Sequence, residues 1–457
     1  MYAVVVAHQE VQPANSKQVY LILARLGVYL FRERSLLGIL PTCSDKKYGP
    51  IYAWEVFGTY HVWVESDKIA RDLLVHRGKK YGGRHEIPAA VGVKDGSEFV
   101  PLMNIGDNFW RHKNFIHALN RQANADNIFF GYPELENKNT LRRLLDHPDK
   151  WSEHIITHCS RVAGRIAWGD PRHGTKLLHV VPVLLKAVSP GGPIINLLTP
   201  LMYLPDSISP WKKAEAKRAQ QMKDAFYEAQ EDVIKRYEEG TAEGSWTKLW
   251  LDKAQGLEKS HLNKHEAAHA VGSNALVAIV TIGSPVFPEA DEWRPERWLD
   301  PSWPTYKEPL SEFPTVRGDP GFGYGVRACP GIDLVATELY TTIGSIAWGF
   351  NIKRKEGKAG YENPVPWYQT NPYVITMASQ FPADVTPRSA EKARIIRQLT
   401  EDPSLTVRAV GEKSEGQFGR WDVFRPEEGS GRTFDWEGLT ALAPDHDKGP
   451  RRYPVGV

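Results

Sequence analysis

One stretch limits what this chain can fold into more than any other. Phe322-Gly323-Tyr324-Gly325-Val326-Arg327-Ala328-Cys329-Pro330-Gly331 sets a single cysteine at the mouth of a helix. Ile332, Val335, Leu339, Ile343, Ile346 and Phe350 recur at three- and four-residue steps, which predicts an apolar helical face running away from Cys329. Pro330 suits a first helical position, where its missing N–H is not needed. A cysteine there has its thiolate stabilised by the helix dipole and by free backbone N–H groups, and the thiolate is the form that binds metal. Gly323 and Gly325 allow a loop to lie flat against a large ligand, and Gly331 lets the helix press close to it. Arg327, a planar and permanent cation, suits a carboxylate on such a ligand. Cys43 and Cys159 read instead as small buried apolar side chains.

The pattern Phe-x-x-Gly-x-Arg-x-Cys-x-Gly fixes five positions, and its chance occurrence in a chain of this length is on the order of one in ten thousand. These residues resemble the haem-binding loop of the cytochrome P450 family, of the fungal, microsomal kind. The resemblance implies a mainly α fold with a small β-sheet and a haem b cofactor whose iron takes Cys329 as axial ligand. It also implies that Arg327 and Trp110 hold propionates, that Phe322 packs beside the thiolate, and that Gly325 and Gly331 make room for the cofactor. The implied activity is a haem-thiolate monooxygenase that inserts one oxygen atom from O2 into an apolar small molecule. Electrons would come from NADPH through a flavoprotein partner, NADPH-cytochrome P450 reductase.

Composition narrows the alternatives. Three cysteines in 457 residues make no disulfide framework, and a formal net charge of +2 gives no reason to expect nucleic acid. No run of eighteen or more apolar residues occurs, so no clean membrane-spanning helix is written in the chain. Val19 to Phe31 is interrupted by Arg25 and too short to span, which leaves open an interfacial helix or a soluble one. By resemblance the protein belongs at the cytosolic face of the endoplasmic reticulum membrane. Residues 1–45 form an atypical start, 46–398 the haem domain, and 399–457 a polar segment rich in Gly, Glu, Arg and Pro that reads as a disordered tail.

Along the chain, alternation on both sides of Gly58-Thr59 predicts a hairpin, and Ser66 to His76 resembles the family's helix that follows such a sheet. Residues 86 to 108 predict a long loop; by resemblance it roofs the substrate pocket with Phe99, Val100 and Leu102 facing the ligand, while the residues alone read also as ordinary loop packing. In the family a basic residue follows the Trp110 position by four. Asn114 stands there in this chain, so Arg111 or Lys113 must supply the charge. Helices over 140–200 are interrupted at Gly169-Asp170-Pro171 and at Ser189-Pro190-Gly191-Gly192-Pro193. Trp211 to Glu239 carries a stripe of Met222, Phe226, Ala229, Val233 and Tyr237. The charges of that segment form a solvated face or a basic surface for an acidic electron donor.

The segment His261 to Thr281 has two readings. His265-Glu266-Ala267-Ala268-His269 matches a zinc-metallopeptidase motif, two imidazoles one turn apart with a general base between them, although Ala275 occupies the place of the usual third ligand. By resemblance it is instead the long helix on the distal face of the haem, with Thr281 assisting oxygen activation while Val280 and Ala278 replace an acid and a glycine. Pro295-Glu296-Arg297-Trp298 resembles a family segment close to the haem loop, yet only about fifteen residues part it from Thr281. An internal deletion near 282–287 that removes the helix bearing Glu-x-x-Arg is therefore expected. In this chain that spacing occurs only at Glu215 to Arg218 and at Glu391 to Arg394. The deletion makes the fold incomplete and raises a haem-binding or non-functional remnant without turnover as the alternative to an active enzyme.

Overall fold

A computed structural model of the chain describes residues 3–6, 49–56, 59–64, 66–84, 99–126, 128–188, 203–253, 262–277, 296, 300–303, 320–354 and 383–401. The described residues are mainly helical, with two small sheets. Strands β1 (Ala3–Val6), β2 (Ile51–Val56) and β3 (Thr59–Val64) form an antiparallel sheet in the order β1-β3-β2. β2 and β3 are the expected hairpin, in a register that runs from Ile51 opposite Val64 to Val56 opposite Thr59. β1 pairs Ala3 with Val64. Nothing in the sequence reading anticipated it, since four residues are too few to display a period.

Helix α1 (Asp67–Arg71) is capped by Ser66, whose hydroxyl accepts from the Ile69 N–H, and it continues into a π-helical turn over Asp72–His76 before α2 (Gly78–Tyr81). A 3₁₀ turn, Val100–Leu102, precedes four long helices: α3 (Asp107–Ala125), α4 (Ile128–Asp146), α5 (Trp151–Trp168) and α6 (Pro171–Val188). α5 stops where expected, at Gly169, whose φ of 70° only glycine adopts cheaply. The Asp170 carboxylate then accepts from the Arg172 N–H at 2.8 Å and opens α6. α5 and α6 touch backbone to backbone at two glycines, since a β-carbon on Gly174 would lie 1.8 Å from the Ser160 carbonyl oxygen.

Helices α7 (Pro210–Glu238), α8 (Trp246–Leu251) and α9 (Lys264–Val277) complete the main core. Met222, Phe226, Ala229 and Val233 of α7 are buried as their stripe predicts, with Tyr237 at its exposed end. They meet Phe115 and Leu119 of α3, Tyr132 of α4, Ile166 and Trp168 of α5, and Ala267, Val271 and Ala275 of α9. Each large apolar side chain buried in this way contributes about 1.5–3 kcal/mol.

The cysteine stretch leads into α10 (Ile332–Gly349), then β4 (Phe350–Arg354), which pairs antiparallel with β5 (Ala383–Pro387), and α11 (Ala390–Glu401). The helix after Cys329 is present, but the face it buries is not the expected one. Leu334, Glu338 and Thr342 are buried, while Leu339 and Ile343 are exposed. The reason is a polar one: α10 lies on α4 and α5 through hydrogen-bonding groups, described below, which an apolar periodicity cannot register. Of the two Glu-x-x-Arg spacings, Glu215–Arg218 is a buried pair within α7, with Arg218 Nε 2.7 Å from Glu215 Oε2, and Glu391–Arg394 is an exposed pair within α11. α11 runs on to Glu401, beyond the boundary expected at 398. Cys43, Thr281, Arg297, the span 19–31 and the tail from 402 lie outside the described residues.

By its contacts the chain falls into two units, Met1–Ile282 with Gly323–Lys413, and Gly283–Phe322 with Ser414–Val457. The second shows a tight turn in which Asp300 N–H donates to Glu296 O and Ser302 N–H to Asp300 Oδ1, each at 2.8 Å, and a 3₁₀ turn over Pro320–Phe322. The residues of the candidate site described below belong to the first unit.

Candidate functional site

Cys329 sits half-buried three residues before α10, as a free thiol. Gly331 N–H donates to its sulfur at 3.4 Å. Burial raises the thiol's pKa and this single hydrogen bond lowers it, so protein groups alone leave the sulfur protonated at neutral pH. A cation bound at the sulfur would reverse that balance, because a coordinating thiol is deprotonated outright.

The loop before it is held by the protein's own backbone. Gly325, at φ 53°, passes so close to the π-helical turn that a β-carbon would lie 2.2 Å from Leu74 O. The close approach Gly325 makes is thus to the chain itself. Gly323 is also left-handed, at φ 75°. Tyr324, buried between these glycines, donates its hydroxyl to Asp67 Oδ1 at 2.7 Å.

Arg327 donates to main-chain carbonyls on two other segments: Nε to Gly82 O at 3.0 Å, Nη2 to Met103 O at 2.5 Å and Nη1 to Val100 O at 3.5 Å. Its guanidinium carbon lies 4.3 Å from the centre of the Phe109 ring. Lys113, one turn into α3, donates Nζ to Val326 O at 2.5 Å and lies over the Phe109 and Trp110 rings at 5.9 and 5.5 Å. Arg84, at the exposed rim, donates Nε to Pro101 O at 2.9 Å.

Among the described residues none of these three cations has a carboxylate partner. The pKa of Arg327 is lowered to about 10 by burial and then by Arg84, that of Lys113 by burial and then by Arg327, and that of Arg84 by the crowding protein. Gathering like charges without counter-charge is unfavourable unless a ligand supplies the anion. The donor set fits a flat, dianionic cofactor whose metal takes the thiolate while its carboxylates face Arg327, Lys113 and Arg84. Arg84 had no place in the sequence reading. Its signal is weak, a lone arginine after Gly82-Gly83, and only the fold brings it beside Arg327.

Of the two basic residues expected beside Trp110, Lys113 reaches the cysteine loop and Arg111 does not. Arg111 reaches away to α9, where its guanidinium forms an ion pair with Glu266, Nη1 lying 3.1 Å from Oε2. Trp110 stands at the exposed edge of the same turn, its ring edge-on to Phe109 at 5.3 Å. Phe99 is buried in the main core, with Val100 and Leu102 packed on it half-buried, so the described part of that loop is core as well as wall.

Glu266 also answers the metallopeptidase motif. Its carboxylate accepts from Asn263 N–H at 3.0 Å while Glu266 N–H donates to Asn263 Oδ1 at 2.9 Å, a reciprocal cap on α9. With Arg111 as well, the carboxylate is committed and held ionised, burial opposing and these bonds prevailing. The His265 and His269 rings lie 4.7 Å apart, tilted by 54°, and His265 Nδ1 pairs with the Tyr227 hydroxyl. No third His, Cys or carboxylate joins them among the described residues. One group there has metal-ligand proximity, Asp170, His173 and Asp232, but Arg172 binds the first carboxylate and Arg236 and His173 the second.

No family model matches the chain. A cytochrome P450 monooxygenase of Aspergillus fumigatus, psoD, is 34% identical over 132 residues, which is 29% of this chain and 25% of that protein. Longer matches are to the cytochrome P450 monooxygenases alnH of Emericella nidulans (21% identical, 78% of this chain and 82% of that protein) and claR of Ampulloclitocybe clavipes (23%, 78% and 83%). In fold, the chain matches a zebrafish cytochrome P450 solved with progesterone at a TM-score of 0.54, covering 77% of this chain and 99% of that one at 12% identity. With Cys329 at the head of α10, the chain is thus similar in sequence to fungal cytochrome P450 monooxygenases and shares the cytochrome P450 fold.

Proposed function

We propose that the chain holds haem b through Cys329 and inserts one oxygen atom from O2 into an apolar small molecule, with electrons from NADPH delivered by NADPH-cytochrome P450 reductase. One observation carries this reading: a half-buried thiol heads a helix beside three cations that have no carboxylate partner among the described residues. Thiolate-bound haem iron supplies the activation and cleavage of O2. The chain's own residues bind and orient. Arg327, Lys113 and Arg84 offer hydrogen bonds and charge to the propionates, Trp110 flanks them, and Gly331 N–H holds the sulfur. Thr281 is assigned proton delivery to the distal side, a role for a hydroxyl in reach of ordered water. Gly331 lines the proximal side of the cofactor, and Gly325 serves that side indirectly by letting the loop close on the π-helical turn.

The zebrafish relative's progesterone is an apolar small molecule, which supports that substrate class here. Among the described residues no helix is long and apolar enough to cross a membrane. We place the protein at the cytosolic face of the endoplasmic reticulum by family resemblance, with attachment outside those helices. We also read the short interval between Thr281 and Glu296 as an internal loss of the Glu-x-x-Arg helix. The two remaining Glu-x-x-Arg spacings are closed pairs within α7 and α11. That favours a second reading, haem binding without turnover.

The reduced, carbon-monoxide-bound absorption spectrum of the chain expressed with haem tests the assignment. A thiolate-type Soret band, lost in Cys329→Ala, is the expected result, and a band unchanged by that substitution would remove Cys329 as ligand. Product formation with reductase and NADPH then separates the enzyme from the inert haem protein.

A further inference from the structure

The peptide bond between Pro330 and Gly331 is engaged at both ends. Its N–H, from Gly331, donates to Cys329 Sγ at 3.4 Å. Its C=O, from Pro330, accepts from Asn120 Nδ2 at 2.8 Å. Asn120 is a polar side chain on α3 with only 6% of its surface exposed. Its carbonyl Oδ1 in turn receives Asn274 Nδ2 of α9 in a long contact of 3.5 Å. A chain of amide dipoles therefore runs from α9 through α3 to the sulfur: Asn274, Asn120, the Pro330–Gly331 peptide, Cys329.

Such a chain does two things. A carbonyl that accepts a hydrogen bond makes the N–H of the same peptide a stronger donor, because hydrogen bonds in series polarise one another. It also fixes the plane of that peptide, and the direction of the N–H follows from the plane. Proline supplies no N–H of its own, so Pro330 cannot help hold the sulfur. Among the described hydrogen bonds, that from Gly331 is the one the sulfur receives. Outer groups that orient and polarise such a donor tune a metal–thiolate centre as the ligand itself does.

We infer that Asn120 is a positioning residue for the thiolate: by gripping Pro330 O it aims and strengthens the Gly331 N–H toward Cys329 Sγ, with Asn274 behind it. The inference deepens the haem-thiolate reading and rests on it for the spectroscopic measurements, while one measurement stands apart from haem.

The test uses the full chain, with and without haem, as wild type, Asn120→Leu and Asn274→Leu. Leucine matches the number and branching of asparagine's side-chain atoms and removes the amide. Without haem, amide hydrogen exchange at Gly331 is expected to quicken at least tenfold in Asn120→Leu and less in Asn274→Leu, while exchange at Leu334, inside α10, stays unchanged. With haem, Asn120→Leu should bind the cofactor at wild-type content. Its iron should become harder to reduce, by up to tenfold in the reduction equilibrium, which is about 59 mV for one electron. The carbon-monoxide Soret band should shift in the sense of a more electron-rich sulfur, with a smaller shift of the same sign in Asn274→Leu.

Unchanged Gly331 exchange together with unchanged potential and band in Asn120→Leu would overturn the inference. Equal quickening at Gly331 and Leu334 would also overturn it, since that is general loosening of the helix. If Asn120→Leu does not fold, Asn274→Leu decides, because it leaves the donor to Pro330 in place. A wild-type chain that takes up no haem would overturn the proposed function, and the Gly331 exchange would still decide this point.

Discussion

Two buried polar regions of the molecule are built on opposite plans. Around Glu136 on α4 the charges are closed. Its carboxylate is fully buried and accepts from Arg161 Nε at 2.6 Å, Arg161 Nη2 at 3.2 Å and Arg165 Nε at 2.6 Å, so both arginines of α5 have a carboxylate partner on α4. Around Cys329 the charges are open, with Arg327, Lys113 and Arg84 spending their donors on neutral carbonyls. Burial would raise the pKa of Glu136, but the two arginines outweigh it and lower the net value, whereas nothing counters the lowering of Arg327 and Lys113. A closed network finishes a fold, while an open one expects an anion from outside. The difference lies in what each cation faces and cannot be read from the number of charges.

The largest break in this comparison should come from the closed side. Glu136→Ala leaves Arg161 without its carboxylate and Arg165 with only the more distant Glu243 at 3.8 Å, and removing one partner of a buried ion pair costs about 3–5 kcal/mol. Urea denaturation should show a lower midpoint with the slope preserved. A loss under about 1 kcal/mol would mean that water reaches the two arginines and that the network is not closed.

A third polar group, where α10 meets α4 and α5, sharpens the contrast because it is closed by neutral groups. His158 on α5 lies between Thr140 Oγ1 at 3.1 Å and Thr342 Oγ1 at 3.0 Å, with the Glu338 carboxylate 3.6 Å away and Glu136 and Arg143 of α4 acting at longer range. Burial lowers the pKa of His158 to about 4, from 6.5. It raises that of Glu338 to about 7, from 4.5, with the Cys159 thiol pulling the other way. The folded chain thus binds fewer protons at His158 than the unfolded chain does between pH 6.5 and 4. The stability His158 contributes is present above pH 6.5 and lost as pH falls toward 4.

Glu338 has the opposite sign. Its ionised form destabilises the fold above pH 7, and the penalty fades as pH falls toward 4.5. In the native chain the two offset, giving a flat profile between pH 7 and 5. Glu338→Gln removes one side, so stability should fall by about 2 kcal/mol from pH 6.5 to 5, taking about 1.4 kcal/mol for each pH unit. A flat profile in that variant would mean that His158 is protonated in the fold.

Much of the fold was legible in residue patterns, and the reason differs from element to element. The hairpin at β2 and β3, the stop at Gly169 and the stripe of α7 each carry a local signal: alternation, a left-handed glycine, a four-residue step. Cys329 and Arg327 stood out as candidates because five fixed positions sit within ten residues of chain. Arg84 was not, since it meets Arg327 from 243 residues away in sequence and no local rule relates the two. The buried face of α10 was misplaced for a related reason. It is made of Glu338 and Thr342, which hydropathy counts as surface and which are buried only because α5 offers His158 and Cys159 opposite them. Glu266 shows the converse: the His-Glu-x-x-His spacing was visible, but Asn263 and Arg111 decide what the carboxylate does, and Arg111 comes from another helix.

The smallest expected effect discriminates best between the two plans. Lys113→Met keeps the length and apolar stem that lie against Phe109 and Trp110, and removes the charge beside Arg327. In a closed network that deletion would be damaging. In an open one it relieves like-charge repulsion, so without haem the variant should be as stable as the native chain or more stable by up to about 1 kcal/mol, despite losing the bond to Val326 O. With haem the sign reverses, because a propionate loses a charge-assisted donor and affinity should fall about tenfold, equivalent to about 1.4 kcal/mol. Thermal melts with and without haem, together with haem transfer to apomyoglobin, measure both. If Lys113→Met instead weakens the haem-free chain as Glu136→Ala does, Lys113 is a structural strut of the cysteine loop. The anion site then contracts to Arg327 and Arg84, and the two regions differ less than their geometry suggests.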